Sequence, residues 1–542
     1  MERILDWNKY LDTAAKMVAE GIVMLKNENN ALPLDTDKEV AVFGRIQFHY
    51  YKSGTGSGGM VNVTKVVNIL DGLVDNGIKV NEKLLDTYRK WDKENPFDLG
   101  EGWGGEPWSQ KEMPLDEGLV KETAKSCETA IVIIGRTAGE EQDNRLEAGS
   151  YLLSDDEIEM LTVVREHFKK VVLLLNVGNI IDMTDINRIA PDAVLYVWQG
   201  GMTGGKGTAD VLTGKVSPSG KLPDTIAYKA SDYPSDANFG REKNRDIYAE
   251  DIYVGYRYYD TSKVRVQYPF GFGLSYTEFT YSDLIIEEDG IKVSVTNTGD
   301  RDGAEVVQMY VGLPNAIVFR PEKELKGFAK VYLKAGESRQ LRIPFDDKTF
   351  RYWNIKTGQW EIETGTYQIM VGASVVDIRL TGMTERTGNS KGYPYNPAKM
   401  PYYYTGIVQK ISDEEFRELL GHEIPNGRWS GNLEINDAIC QMYYAKSRLA
   451  RLIYRCLTKM KKKSEEQGKP DLNILFIYNM PFRGIAKMTG GVVSMEMVYG
   501  IVDAVNGHFM LGVKKVVGGY FRNRRNNKKY EKLLKGAGGK CR

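Results

Sequence analysis

The chain has 542 residues, too many for one ordinary domain and enough for about three. Hydrophobic residues make up 42%, enough for sizeable cores, and 73 Lys and Arg balance 73 Asp and Glu. No global field therefore argues for nucleic acid or an acidic partner, although the last stretch is locally basic. Cys127, Cys440, Cys456 and Cys541 form no CxxC pair, as expected of reduced thiols in a cytoplasmic protein. The opening residues, Met1 to Trp7, contain no apolar signal region, and no uninterrupted apolar run is long enough to span a bilayer. His49, His167, His422 and His508 are scattered without metal-ligand spacing, so neither metal nor cofactor is expected.

In chain order, residues 10–26 place Leu11, Ala14, Ala15, Val18, Ile22 and Leu25 at helical spacing, predicting one helix. A short β run follows at 39–43 and a helix at 119–129. A buried strand is predicted at 130–134, then a helix at 154–167 that opens on Ser154 with acidic residues in its first turn. Further buried strands are predicted at 171–175 and 193–197. Strand–helix alternation with continuous apolar strands predicts an α/β sandwich with a largely parallel sheet over 1–230. Connecting loops fill 231–275. Residues 276–382 alternate polar and apolar at 291–297, 305–311, 339–344 and 365–371 between Gly and Asp turns, predicting an all-β, immunoglobulin-like sandwich. Residues 383–405, rich in Gly, Pro, Asn and Tyr, read as a linker. A helical, basic tail over 406–542 should hold helices at 413–420, 436–463 and 495–505.

The segment most suggestive of chemistry follows the strand at 130–134. Gly135 and Arg136 lead into a polar loop of roughly 18 residues, which carries Glu140, Glu141, Asp143, Arg145 and Glu147 before Ser154 starts the next helix. Loops at the carboxyl ends of parallel strands are where α/β proteins bind ligands. A carboxylic acid held protonated there could donate to a glycosidic oxygen. On composition alone, a solvated acidic loop explains the same residues.

Several longer motifs give that loop a context. AEGIVMLKNENNALPL at 19–34 and AVFG at 41–44 resemble the opening of the second domain of glycoside hydrolase family 3. Gly200-Gly201, ADVLTG at 209–214 and PSGKLP at 218–223 resemble its close. YVGYRYY at 253–259 and YPFGFGLSY at 268–276 resemble the passage into the family's fibronectin-III-like domain, and Asn297-Thr298-Gly299, Gly303 to Val306, Pro321 and Lys326-Gly327-Phe328 resemble that domain itself. The resemblance covers about residues 7–380. It implies a β-glucosidase component that acts on terminal β-linked glucosides with retention. In the family the acid/base glutamate stands in a Gly-Glu-x-x-Asp loop, which Gly139-Glu140-Glu141-Gln142-Asp143 matches. The role therefore falls to Glu140, with Glu141 as the neighbouring fallback. Asn144 separates Asp143 from Arg145 where the family often has Asp-Arg.

Substrate contact is expected from Arg136, Asp143, Arg145, Lys52, Trp103 and Trp108. Lys52 opens a glycine-rich stretch, Tyr50 to Gly59, whose order does not fit a phosphate loop because the lysine precedes the glycines. Trp103 and Trp108 stand in a second glycine-rich loop, where rings can stack on sugar faces or simply be half-buried.

A retaining glycosidase needs a second carboxylate about 5–5.5 Å from the first. The resemblance places it on a (β/α)8 barrel, which needs about 250 residues. No such stretch is visible, and Ser231-Asp232-Tyr233, a superficial match to the nucleophile motif, follows no barrel strand, so no nucleophile is assigned. A separate barrel-bearing polypeptide, or a homo-oligomer, is the expected partner beside the β-glucoside substrate. The other class of function is a non-catalytic carbohydrate-binding or interaction protein derived from such an enzyme. In the tail, Met442, Ala445, Leu449, Leu452, Ile453, Cys456, Leu457 and Met460 form one apolar stripe among arginines and lysines. With the polybasic end at 514–542, that admits either a packed helical subdomain or weak contact with an anionic membrane surface.

Overall fold

The computed structural model describes residues 5–56, 59, 61–100, 105–140, 143–240, 246–425, 431–466 and 471–537, with backbone alone at 465 and 534–537. Its first unit is a six-stranded sheet built from β1 (Val23–Asn27), β2 (Glu39–Phe43), β3 (Lys79–Val80), β4 (Thr129–Gly135), β5 (Lys170–Asn176) and β6 (Ala193–Tyr196). The spatial order is β1-β6-β5-β4-β2-β3, parallel from β6 to β3, with β1 antiparallel at the edge.

The interiors of the central strands β4 and β5 are apolar because both faces are covered. In β4, Ala130, Val132 and Ile134 enter one core together with Val164 of α5 (Asp155–His167) and Val120 of α4 (Glu117–Ser126). Ile131 and Ile133 enter the opposite core with Ala19 of α1 (Trp7–Gly21), Leu73 of α2 (Ile69–Asp75) and Val211 of α7 (Gly204–Leu212). The two remaining helices, α3 (Glu82–Glu94) and α6 (Thr184–Ile189), lie on the first side, through Leu84, Tyr88 and Ile186. Ser154 caps α5 as expected, its hydroxyl accepting from the Glu157 amide in a reciprocal capping box.

The helix predicted over 10–26 is corrected. It ends at Gly21, Ile22 turns to extended backbone, and Val23–Asn27 is the edge strand β1. The apolar run Ile22-Val23-Met24-Leu25 satisfies helical spacing and a buried strand equally well, and pairing with β6 decides for the strand. The chain returns to this corner when it leaves the unit: the Leu274 amide donates to the Met24 carbonyl at 2.9 Å, bridging the two segments.

The β-sandwich follows it in the chain. One sheet pairs Ser338–Pro344, Gly290–Asn297 and Phe279–Glu287, and the other pairs Glu324–Leu333, Gly303–Gly312, Gly365–Gly372 and Ile378–Arg386. Their inner faces share a core that includes Val293, Val295, Val307, Met309, Ile369 and Val371.

The residues read as a linker are also corrected in part. Ile378–Arg386 runs past residue 382 as a strand, and Pro401–Thr405 is a short helix whose Tyr403 is fully buried, its hydroxyl donating to the Ala249 carbonyl at 2.7 Å. The aromatic composition there fills a core with Tyr253, Tyr258, Phe319 and Phe416.

In the tail the helix predicted at 436–463 is split into a 3₁₀ segment Ile439–Tyr444 and a helix Arg448–Glu466. Helices at Asp413–Leu420 and Met495–Val505 stand as expected, and the basic end continues as one 29-residue helix, Phe509–Ala537. No helix among the described residues is long and apolar enough to cross a membrane.

Candidate active site

The carboxyl ends of β2, β4, β5 and β6 deliver four loops to one rim, and Asn176, at the end of β5, ties three of them together. Fully buried, it accepts from the Tyr51 amide at 2.8 Å and donates to the carbonyls of Tyr51 (3.0 Å) and Trp198 (2.6 Å). Its own carbonyl receives the Arg136 amide at 3.1 Å. Tyr50 closes the other side: its hydroxyl accepts from the Gly200 amide at 2.8 Å. Sequence reasoning passed over Asn176, although a lone amide closing an apolar strand signals a buried bonding duty.

Glu140 sits exposed on this rim, but its backbone is held. Thr55 and Gly139 form a parallel bridge, the Thr55 amide donates to the Ala138 carbonyl at 2.6 Å, and the Glu140 amide reaches the Thr55 carbonyl at 3.4 Å. The glycines of the 51–59 loop permit the approach: a Cβ on Gly54 would lie 1.9 Å from the Ala138 carbonyl oxygen. One on Gly56, whose φ is +105°, would lie 2.8 Å from the Glu140 Cβ. Gly54→Ala is therefore expected to part the two loops while the core stays folded. Hydrogen exchange should show the Thr55 amide losing protection with the melting temperature little changed; retained protection would mean that the loops are not joined through this contact.

The other expected site residues scatter in role. Arg136, expected at the substrate, is fully buried and faces the protein. Its guanidinium donates to the carbonyls of Gly135 (2.9 Å), Ser150 (3.1 Å) and Leu152 (3.2 Å) and makes a two-pronged pair with the Glu157 carboxylate. It anchors the 136–153 loop to the start of α5. Lys52 donates to Gly59 O (2.7 Å) and Ser53 Oγ (3.1 Å), closing its own loop. Asp143 is exposed. Arg145 is half-buried and borders a cavity of about 310 Å³ with Tyr151, Tyr233 and Phe239. Asn144, the residue inserted before it, is latched to the loop after β5 by Asn179 at 2.8 Å and by Ile180 O at 3.2 Å. Trp108 is half-buried, and its carbonyl accepts from the Thr137 amide at 3.0 Å, so its loop does border the rim. Glu141 and Trp103 lie outside the described residues. Asp232 stands in a 3₁₀ turn, not at a strand end. No cluster of His, Cys, Asp or Glu among the described residues is arranged to hold a metal ion.

Beneath the rim lies a buried charge network. Arg45 pairs with Asp92 at 2.8 Å, and its amide donates to Glu112 at 2.9 Å. Burial, aided by the Glu157 charge, pushes the Glu112 carboxyl up to about 8 against the pull of Arg45 and Arg136. Nearer the surface, desolvation likewise raises the Glu106 carboxyl. The Glu112 shift has a definite sign. Between the ordinary value of 4.5 and about 8 the unfolded chain has released a proton that the folded chain keeps, so stability falls as pH rises through that window. The slope is about 1.4 kcal/mol per pH unit for one group. Glu112→Gln should flatten it, and urea denaturation of both proteins at the two ends of the window measures the difference; parallel pH profiles would refute the assignment.

Comparison with known proteins places this geometry. Residues 22–276 match the glycosyl hydrolase family 3 C-terminal domain and residues 305–375 a fibronectin type III-like domain. A β-glucosidase of Ruminococcus albus is 58% identical over 340 residues, covering 62% of this chain and 36% of that protein. The crystal structure of a β-glucosidase from Paenibacillus barengoltzii superposes with a TM-score of 0.66 at 45% identity, over 72% of this chain and 43% of the other. That of β-glucosidase 3B from Thermotoga neapolitana in complex with α-D-glucose gives 0.65 at 36% identity, over 71% and 55%. The chain thus spans from about a third to just over half of these relatives.

Proposed function

The chain belongs to glycosyl hydrolase family 3 through its C-terminal-type α/β domain and fibronectin type III-like domain, and on that premise we propose that it supplies the acid/base half of a retaining β-glucosidase centre. Glu140 protonates the leaving glycosidic oxygen and then deprotonates the attacking water. The nucleophilic carboxylate comes from a (β/α)8 barrel outside these 542 residues, on a partner polypeptide or on a further segment. The observation that carries the reading is the position of Glu140: a carboxylate on an open rim at the carboxyl edge of a parallel sheet, its backbone pinned by a glycine loop. A carboxylate so placed is accessible to a sugar held from the opposite side.

Retention requires a covalent glycosyl intermediate, hence an attacking group on the far face of the anomeric carbon. Asp143 and Glu147 share the loop of Glu140 and cannot approach from there. The 542-residue polypeptide alone is therefore expected to turn over aryl β-glucosides poorly or not at all, because general acid catalysis contributes only about 10²–10⁴-fold. Adding a family 3 barrel that is inactive by itself should restore hydrolysis. Robust turnover by the isolated chain, with a glycosyl adduct trapped on one of its own residues, would refute the division of labour. Sugar binding without restored hydrolysis would favour a non-catalytic carbohydrate-binding role.

A further inference from the structure

The zero net charge conceals a segregation. From Lys446 to Arg542 there are 22 Lys and Arg against 6 Asp and Glu, an excess of 16 that the preceding 445 residues balance with an equal acidic excess. The helices of this region also leave apolar faces uncovered. The Phe509–Ala537 helix packs on Met495–Val505 through Gly512 and Gly519; a Cβ on Gly512 would lie 2.5 Å from the Gly500 carbonyl oxygen, so the backbones nearly touch along that line. Its opposite face carries Met510, Val513, Val517 and Phe521 at i, i+3, i+7 and i+11, and these are 79%, 39%, 50% and 61% exposed. Past Phe521 the same face continues as Arg524, Arg525, Lys528 and Lys532, which make no ion pair among the described residues, whereas Lys515 and Arg522, nearer the packed side, are neutralised by Asp503 and Glu496.

A second helix repeats the pattern. On Arg448–Glu466, Leu449, Leu452, Ile453 and Met460 line one face and are about half exposed, so this part of the apolar stripe is not packed into a core. Arg451, Arg455 and Lys459 flank them.

We propose that this C-terminal helical region docks peripherally on an anionic lipid surface, with the outward face of the Phe509–Ala537 helix lying in the interfacial plane and the Arg448–Glu466 helix supplying a second contact. Both requirements of an interfacial helix coincide on one surface: exposed apolar side chains to enter the acyl boundary and unpaired cations to meet phosphate headgroups. At 1.5 Å per residue the helix is about 43 Å long, enough to lay three turns of apolar stripe and three of basic stripe along a membrane without crossing it. A nucleic acid would use the cations but leave Met510, Val517 and Phe521 in water. A water-exposed docking partner rich in acid would do the same.

The test is flotation of the full 542-residue chain with phosphatidylcholine vesicles, with and without phosphatidylserine. Binding is expected only with the anionic lipid and should weaken as salt is raised. Arg524→Gln/Arg525→Gln/Lys528→Gln should weaken it on the order of a hundredfold, at roughly fivefold per charge. Val517→Asp/Phe521→Asp should weaken it at least about tenfold, although it leaves all four cations in place. Both sets of residues are exposed, so unchanged thermal unfolding verifies that the variants are folded. Equal binding to neutral vesicles, or no binding to either, would overturn the proposal. So would binding to duplex DNA, or salt-sensitive self-association through the acidic first 445 residues, that ignores Val517→Asp/Phe521→Asp.

Discussion

Replacing Arg136 with methionine should destabilise the α/β unit by about 3–5 kcal/mol, the range for breaking a buried ion pair by removing one partner. The guanidinium is fully enclosed and pairs on two prongs with Glu157, itself 2% exposed. Without it, the Glu157 carboxylate keeps its capping contact with the Ser154 amide at 2.8 Å but faces no cation, and the carbonyls of Gly135, Ser150 and Leu152 each lose one donor. Lysine should not rescue, because a single ammonium cannot reproduce the planar fork. The double variant Arg136→Met/Glu157→Leu should recover part of the loss, since it also removes the stranded charge. Urea denaturation of the single and double variants measures the cycle. A single-variant cost below about 1 kcal/mol would mean that the loop is held elsewhere.

On the proposed division of labour, Glu140→Gln in the chain combined with a family 3 barrel should lower kcat/KM by about 10²–10⁴ on glucosides whose leaving group needs a proton. Folding stability should move by less than about 0.5 kcal/mol, because the side chain is exposed. The discriminating readout is the leaving group. A nitrophenolate departs without protonation, so formation of the glycosyl intermediate from an activated aryl glucoside should be nearly spared while alkyl glucosides suffer fully. A residue that only shapes the loop would slow both alike. Equal loss on both substrates would therefore remove Glu140 from the proton-transfer role, even with activity abolished.

Much of this architecture was legible in the sequence, and the failures share causes. The central strands β4 and β5 were readable because burial on both faces leaves an unbroken apolar run. The three unpredicted sandwich strands, Phe279–Glu287, Glu324–Leu333 and Ile378–Arg386, are all edge strands, and their half-exposed, charged composition is what protects an edge from further pairing. Edge strand β1 was lost to helical spacing for the opposite reason: its first three residues, Val23, Met24 and Leu25, are as buried as those of a central strand and continue the apolar run of α1. At the rim, the long polar loop after β4, on which Glu140 stands exposed, was legible in the sequence. The direction of Arg136 was not, because charge and position in a loop do not reveal whether a guanidinium faces a ligand or an adjacent helix. Its partner Glu157, one of three acidic residues in the first turn of α5, carries no distinguishing mark until packing selects it.

The bridge between Met24 and Leu274 bears on how such proteins can be assembled over evolutionary time. It sets β1, the first strand of the α/β unit, beside the segment by which the chain leaves the unit, so only α1 stands between a module fused ahead of the unit and the corner where one fused behind residue 274 emerges. Gene rearrangement that moves a module from one end of the reading frame to the other then needs a linker as long as α1, about 22 Å. Circular permutation, ordinarily limited by the span between chain ends, has about that distance to cover here. Within such a unit, the order in which its modules are translated is close to neutral, and selection acts instead on the rim that they jointly enclose.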